Sequence, residues 1–167
     1  VTVDVTFEGG DGSAENPYQI ATWDQLQAMG GASYLDDSFV LVSDLDAESV
    51  NYSAFVDSPP DGFIPIGESA AFTGSFDGDT HTLSDLAIDR DHASGTPDAA
   101  MFLALDGATI KNVGLVDAEV VARSGDTAGD AAGFAISGSS VTLRETFVAE
   151  SVIRAGIGQD GEDGDSY

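Results

Sequence analysis

The sequence predicts an all-β protein folded as a short parallel β-helix, a solenoid in which short strands stack coil upon coil. The first observation is a repeat, because residues 100–110 resemble residues 131–141 at an offset of 31 residues. The second is a looser copy of the same pattern in residues 76–88. Similarity at a fixed period, in a strand-rich chain punctuated by Gly, is typical of a β-solenoid. We expect each coil to turn its apolar residues inward and its Asp, Thr and Ser outward.

The repeat predicts which residues stack on one another. The offset of 31 extends to residues 118–121 against 149–152. In the looser copy the apolar triple Leu83, Leu86 and Ile88 aligns with the triple Ile110, Val113 and Leu115. Coils of a solenoid lie about 4.8 Å apart, so each apolar layer needs a neighbouring coil to cover it.

The N-terminal part contains elements that precede the coils. Residues 1–7 alternate strictly and are rich in β-branched side chains, which predicts a strand. Thr22 and Gln25 match the capping-box pattern S/T-x-x-E/Q, which predicts the start of a short helix. One face of that helix carries Trp23, Leu26 and Met29. We therefore divide the chain into an N-terminal strand or arm (1–8), a capping segment with the helix and the first strands (9–58), and the β-helix coils (59–167).

The charge of the chain excludes several classes of partner. The chain has 30 Asp+Glu against 5 Lys+Arg, and its net charge is -25. A nucleic acid needs a basic surface, which five cations do not supply, and an anionic membrane is disfavoured for the same reason. No stretch approaches the roughly 20 apolar residues of a membrane span. The chain has no Cys, which excludes disulfides, thiolate metal sites and a Cys nucleophile.

The type of acidity indicates a salt-rich environment. Of the acidic residues 22 are Asp, and Lys111 is the single lysine. Such a surface would repel itself in dilute buffer, whereas molar salt shortens the Debye length to about 3 Å and removes most of that repulsion. An Asp-rich, Lys-poor surface is similar to that of proteins from extreme halophiles. Because the chain begins at Val1 without Met, either a leader has been removed or the segment was cut from a longer protein. We expect an exported protein, extracellular or on the cell surface, whose leader has been removed.

The order of motifs resembles the GLUG-motif repeats of large bacterial and archaeal surface proteins. The resemblance covers roughly residues 9–157 and is carried by residues 12–20, the helix after Thr22, residues 63–67, residues 72–78 and the coils that follow. It implies a right-handed parallel β-helix with a surface or adhesion role and no shared catalytic residue. Met101 and Phe102 stand where that family has small residues, so we expect different packing at that corner.

The two ends of the solenoid are expected to differ. The helix would cover the N-terminal end of the core, as such stacks require. At the C-terminal end the next apolar strand would begin near residue 164, so we expect an open coil edge that a further coil or domain, or another copy of the chain, would cover. The strand with Val1, Val3, Val5 and Phe7 is a candidate inter-subunit strand; pairing within its own chain is the alternative.

Catalytic and metal sites have weaker support in the sequence. Glycoside hydrolysis needs a pair of nearby carboxylates. Such pairs could come from Asp77, Asp79, Asp85, Asp89 and Asp91. In so acidic a chain, however, close carboxylates are expected by chance on a solvated surface. We therefore predict no enzyme.

The sequence contains two kinds of candidate metal ligand, histidines and clustered carboxylates. His81 is expected to make a structural contact at a turn, and its spacing from His92 matches no established metal site. A calcium site is a possible cofactor site in the Gly-rich C-terminal segment, with hard oxygen ligands from Asp160, Glu162, Asp163 and Asp165.

Together these observations predict a non-enzymatic structural or adhesion module of a halophilic microbe that assembles through β-strand edges. One alternative is a subunit of a surface filament or virion that uses residues 1–7 between subunits. Another is a small carbohydrate-binding or carbohydrate-active domain, for which a cell-surface glycan would be the partner.

Overall fold

The computed structural model describes residues 5–57, 62–90, 98–123 and 129–155. Within these ranges short strands dominate, and the two helices have six and four residues. The elements are β1 Tyr18–Ile20, α1 Trp23–Ala28, β2 Ser38–Leu41, α2 Tyr52–Phe55, β3 Ser75–Asp77, β4 Thr82–Ser84, β5 Ala87–Arg90, β6 Phe102–Asp106, β7 Thr109–Lys111, β8 Gly114–Val116, β9 Glu119–Ala122, β10 Ala135–Ser139, β11 Thr142–Arg144, β12 Phe147–Ala149 and β13 Val152–Arg154.

All paired strands are parallel, and each sheet joins equivalent strands of successive coils. The strand orders are β1-β2-β3-β7-β11, β6-β10, β4-β8-β12 and β5-β9-β13. Strands that follow one another along the chain after β3 therefore lie in different sheets, and their neighbours come from the coil before and the coil after. This arrangement confirms the predicted all-β parallel solenoid, with about three turns between β3 and β13.

The predicted register between coils is wrong. In the last two coils Ile110 pairs with Leu143 and Leu115 with Val148, an offset of 33 residues rather than 31. Leu83 pairs with Leu115, not with Ile110, which stacks on Phe76 instead. Two periodicities explain the errors. A shift of two positions keeps the same side chains facing inward, because alternate residues of a strand share a face, so an offset of 31 resembles one of 33. Strand centres also recur every five positions, as in Ile110, Leu115 and Val120, so Leu83 matches Ile110 as well as it matches its true partner Leu115.

Polar residues turn the corners between the strands. Asp85, Asp117 and Glu150 follow β4, β8 and β12 with positive φ angles of 61°, 50° and 53°. A left-handed backbone is disfavoured for most side chains, but Asp and Asn adopt it more readily. The amide of Asp85 donates to the carbonyl of Val116, and that of Asp117 to the carbonyl of Ala149, at 3.1 Å each. These three residues form an acidic corner ladder that runs up the outside of the solenoid.

The N-terminal segment packs around α1. Trp23, Leu26 and Met29 are fully buried, as predicted. The predicted capping box is not formed: Thr22 makes no side-chain cap, and the side-chain oxygen of Gln25 accepts the amide of the preceding residue, Ala21, at 2.8 Å.

Two further predictions concern the arm and one corner. Residues 5–7 are described without a strand assignment. Met101 and Phe102, the bulky residues at the unusual corner, are fully buried in the core. The division into segments 1–8, 9–58 and 59–167 stays a prediction, and β1 and β2 belong to the same sheet as β3.

Candidate functional site

The last coil, β10 to β13, exposes residues that are buried in every earlier coil. Leu143, Val148 and Ile153 are 49%, 42% and 41% exposed, whereas their stacking partners in the preceding coil, Ile110, Leu115 and Val120, are fully buried. We call these three residues the open apolar row. Each lies at the centre of a three-residue strand, so alternation turns it inward and its two neighbours outward.

The strands that carry the open apolar row also have a free edge. Among the described residues β11, β12 and β13 each pair with one strand only, that of the coil before. Unpaired strand edges beside exposed apolar side chains are a template for another strand. In the part of the chain that the structure describes, β11, β12 and β13 therefore each leave one edge unpaired; the open coil edge of the whole chain stays a prediction.

Phe147 lies beside this edge on the outer face of the coil. It pairs in register with Gly114, and a Cβ at Gly114 would overlap the Phe147 ring, so the ring lies directly on the glycine backbone. Half of Phe147 is exposed. With Thr80, His81, Asn112 and Glu145 it lines a groove of about 180 Å³.

Three of the five cations make ion pairs with carboxylates. Lys111 Nζ lies 2.8 Å from the Asp77 carboxylate, Arg123 pairs with Asp89, and Arg90 with Glu68. Burial tends to raise the pKa of Asp77, but hydrogen bonds from Lys111, from the Asp79 amide and from Asn112 outweigh it and lower the pKa below its ordinary value.

The remaining two cations lie on the last coil. Arg144 ends β11, Arg154 ends β13, and both are exposed. Neither makes an ion pair or side-chain hydrogen bond with the described residues. In register below them lie Lys111 and Val121, which offer no carboxylate.

Three of the five candidate catalytic carboxylates have structural partners. Asp77 and Asp89 belong to the ion pairs above, and Asp85 accepts the amide of Ala47 at 3.3 Å. Asp79 donates its own amide to Asp77 at 3.0 Å. Asp91 lies outside the described residues.

The histidine prediction is confirmed for His81. Its Nδ1 lies 3.1 Å from Asp44, which also accepts the amide of Thr82 at 2.8 Å. That amide, followed by the His81 contact, lowers the pKa of Asp44 although burial opposes the shift. His92 lies outside the described residues.

The predicted calcium ligands Asp160, Glu162, Asp163 and Asp165 also lie outside the described residues, so that site stays a prediction. Within the residues that are described, no group of three or more acidic or histidine side chains is placed to hold a metal ion.

Part of the predicted inter-subunit strand packs within its own chain. The Phe7 ring stacks on Tyr18 with centroids 4.4 Å apart and meets Tyr34 edge-on at 5.4 Å. Gln25 donates a hydrogen bond to the carbonyl of Thr6 at 2.8 Å.

The structure does not test the other residues of the predicted inter-subunit strand, Val1, Val3 and Val5, for a role between subunits. Val5 lines a groove beside α1, while Val1 and Val3 lie outside the described residues. A role between subunits stays a prediction.

Comparisons with known proteins give the chain two relatives in sequence. No family model matches it. It is 37% identical over 149 residues to Halomucin from Haloquadratum walsbyi, a match that covers 86% of this chain and 2% of Halomucin. It is 34% identical over 87 residues to a protein of Evansella cellulosilytica named "Putative Gly-rich membrane protein", covering 50% of this chain and 9% of that protein.

One solved structure shares the fold. The crystal structure of a "putative immunoglobulin A1 protease" from Bacteroides ovatus superposes with a TM-score of 0.52 at 21% identity, covering 88% of this chain and 51% of that one. At this identity the likeness shows the fold alone. The chain thus spans a small fraction of its sequence relatives and about half of the structural one. In the described residues no helix is long and apolar enough to cross a membrane.

Sequence reasoning placed an open edge after the last coil but did not identify the open apolar row. The five-residue spacing of Leu143, Val148 and Ile153 was the available signal, since it repeats that of Ile110 and Leu115. Arg144 and Arg154, which have no partner among the described residues, were missed because a wrong offset hides which residues stack.

Proposed function

We propose that this chain is a non-enzymatic structural or adhesion module of an extracellular surface protein from a halophilic microbe, and that it assembles through β-strand edges. The observation that carries the proposal is the open apolar row on unpaired strands. A coil in a solenoid is stabilised by its neighbours, and this coil has a neighbour on one side only among the described residues.

The relatives and the charge support the environment that we propose. Halomucin comes from Haloquadratum walsbyi, and the other relative is named a membrane protein, which favours the cell surface or the space outside it. A net charge of -25 fits molar salt, where like charges on the surface are screened. The right-handed sense of the coils and their GLUG-repeat character belong to this proposal.

The position of helix α1 supports the proposal that the N-terminal end of the solenoid is covered, whereas the C-terminal end is not. We propose that it caps the N-terminal end of the core, because Trp23, Leu26 and Met29 are fully buried on one of its faces. The edge of β1 is also occupied, since the Glu8 amide donates to the Gln19 carbonyl at 3.1 Å and the Gln19 amide to the Gly9 carbonyl at 2.9 Å. The C-terminal coil lacks such cover among the described residues.

The absence of catalysis is also proposed. Its support is that Asp77, Asp85 and Asp89 accept hydrogen bonds or ion pairs that tie neighbouring segments together. A calcium ion at the C-terminal segment would add stability without changing this function.

Light scattering and negative-stain microscopy in about 1–4 M salt test the assembly. We expect concentration-dependent association of two chains through their last coils, since the β1 edge of a copy is already occupied, and Leu143→Asp with Ile153→Asp should abolish it. Val50→Asp is the matched control, because Val50 is 61% exposed but lies away from the last coil. A wild-type monomer at high concentration, or association unchanged by the double variant, contradicts the proposal. Filaments that disappear when residues 1–7 are deleted favour the filament-subunit alternative.

A second candidate function is glycan binding, favoured by the groove beside Phe147. An exposed ring offers an apolar face for a sugar, and Thr80, His81 and Asn112 offer hydrogen-bonding groups around it. A glycan array at molar salt tests this function. Loss of a signal with Phe147→Ala but not with Val152→Ala, its exposed neighbour on the same coil, would support it, and an array without signal would contradict it.

A further inference from the structure

Charge at the exposed coil indicates what kind of partner would cover it. We propose that the last coil docks a further parallel β-coil that carries carboxylates above Arg144 and Arg154, so that charge as well as apolar contact selects the partner. This inference rests on the proposed assembly through strand edges.

The first step is the way in which earlier coils use their cations. Asp77 pairs in register with Lys111, one coil further on, and Lys111 reaches down to it at 2.8 Å. Arg123 follows β9 and pairs with Asp89 of β5, the neighbouring strand in the coil before. In both cases a cation and a carboxylate on adjacent coils join the two coils.

The second step is that the last coil breaks this pattern. Arg144 lies in register above Lys111, a like charge that already has Asp77 as its partner. Arg154 lies in register above Val121. In a chain with 30 acidic residues, the two cations without a partner among the described residues both lie on the exposed coil.

The third step concerns the geometry of the partner. The interface between the last two coils keeps one offset of 33 residues through β11, β12 and β13. A coil that continues it would place apolar residues over Leu143, Val148 and Ile153 and outward residues over the two arginines. Opposite charges directly across a strand pair stabilise it, and like charges destabilise it.

The fourth step excludes the folded N-terminal end of another copy as the strand donor. That end presents β1 with its edge already bonded to residues 8 and 9. A free coil of strands is therefore the occupant that fits the edges of β11, β12 and β13.

The experiment extends the full chain by one coil. A second copy of residues 123–155 is inserted after Ala155, with residues 156–167 kept at the end. In one extended chain the copy carries Arg144→Asp and Arg154→Asp, which places carboxylates above the original arginines. In the matched control the copy keeps both arginines. Hydrogen exchange of the original β11 and β13 amides is measured in about 1 M and about 4 M salt.

We expect exchange of these amides to be slower than in the unextended chain, and about tenfold slower with the acidic copy than with the arginine copy in the lower salt. The difference should shrink in the higher salt. Arg144→Glu with Arg154→Glu in the original coil should reverse the preference between the two copies. This reversal separates a charge effect from a mere difference in how well each copy folds.

The possible failures are distinguishable. Equal protection by both copies overturns the charge selection and leaves assembly through strand edges intact. Protection by neither copy overturns both this inference and the proposed function, since no added coil then covers the open apolar row.

Discussion

The exposure of the last coil predicts a large difference between two identical substitutions, Leu115→Ala and Leu143→Ala. Leu115 is fully buried between Leu83 below and Val148 above. Leu143 is 49% exposed, and among the described strands it stacks on Ile110 alone. Truncating a buried Leu costs about 2–5 kcal/mol, because a cavity adds to the lost transfer energy. At Leu143 no enclosed cavity forms, and about half of a transfer term of roughly 2 kcal/mol is lost. We therefore expect Leu143→Ala to lower the free energy of unfolding by about 1 kcal/mol, and Leu115→Ala to lower it by at least twice as much.

Urea unfolding in molar salt, followed by circular dichroism at two protein concentrations, measures both losses. In a solenoid each coil contacts only its neighbours, so the terminal coil can unfold with less effect on the other coils than an internal coil has. This makes the loss of unfolding free energy from Leu143→Ala smaller still. An equal loss for the two variants at low concentration would refute the reasoning, because Leu143 would then be covered within a single chain.

Three further predictions concern charge. Circular dichroism should show unfolding in dilute buffer and folding in molar salt, because a net charge of -25 is then screened; a folded chain in dilute buffer contradicts this. Asp117→Asn should stabilise the chain by about 0.5–1 kcal/mol in the lowest salt that permits folding, since it removes the central charge of the acidic corner ladder and keeps a residue suited to positive φ. Asp106→Asn, at the end of β6, is the control, and an equal gain there would contradict the role of the ladder. Asp77 has a lowered pKa in the folded state, so its contribution is present above its unfolded pKa and is lost as pH falls through the folded one. Lys111→Met should flatten acid unfolding in that range, and an unchanged pH profile would show that the ion pair is not responsible.

The strand pattern could be predicted from the sequence because each coil repeats a simple alternation. Leu83, Leu115 and Val148 all lie at the centre of a strand, with polar or small neighbours that turn outward. The register could not be predicted, because a shift of two positions keeps the same face of a strand inward and a shift of five moves the alignment to the next strand centre. The offset of 31 matched the residues around Ala100 and Ala131, while the strands that follow stack at 33.

The ion pairs could not be predicted from the sequence either, because they depend on the register between coils. Asp77 and Lys111 are 34 positions apart, and only the true register brings them into contact. Similarly, Thr22 has the residue type and the extended backbone of a helix cap, with φ -141° and ψ 159°, yet its side chain makes no capping hydrogen bond. The residue pattern does not contain the side-chain orientation on which that bond depends. Phe7 belongs to an alternating segment, yet three aromatic neighbours hold it within its own chain.

The two kinds of interaction at the open coil respond differently to the salt that the chain needs. Molar salt screens exposed charges separated by more than about 3 Å, so Arg144 and Arg154 would attract an acidic coil weakly at long range. Salts that are excluded from protein surfaces strengthen apolar burial, and the open apolar row therefore gains in attraction under the same conditions. A contact ion pair such as that between Lys111 and Asp77, at 2.8 Å, lies within the screening length. Apolar contact would thus supply most of the affinity for a further coil, and the arginines would select its register and its charge once the strands are in contact.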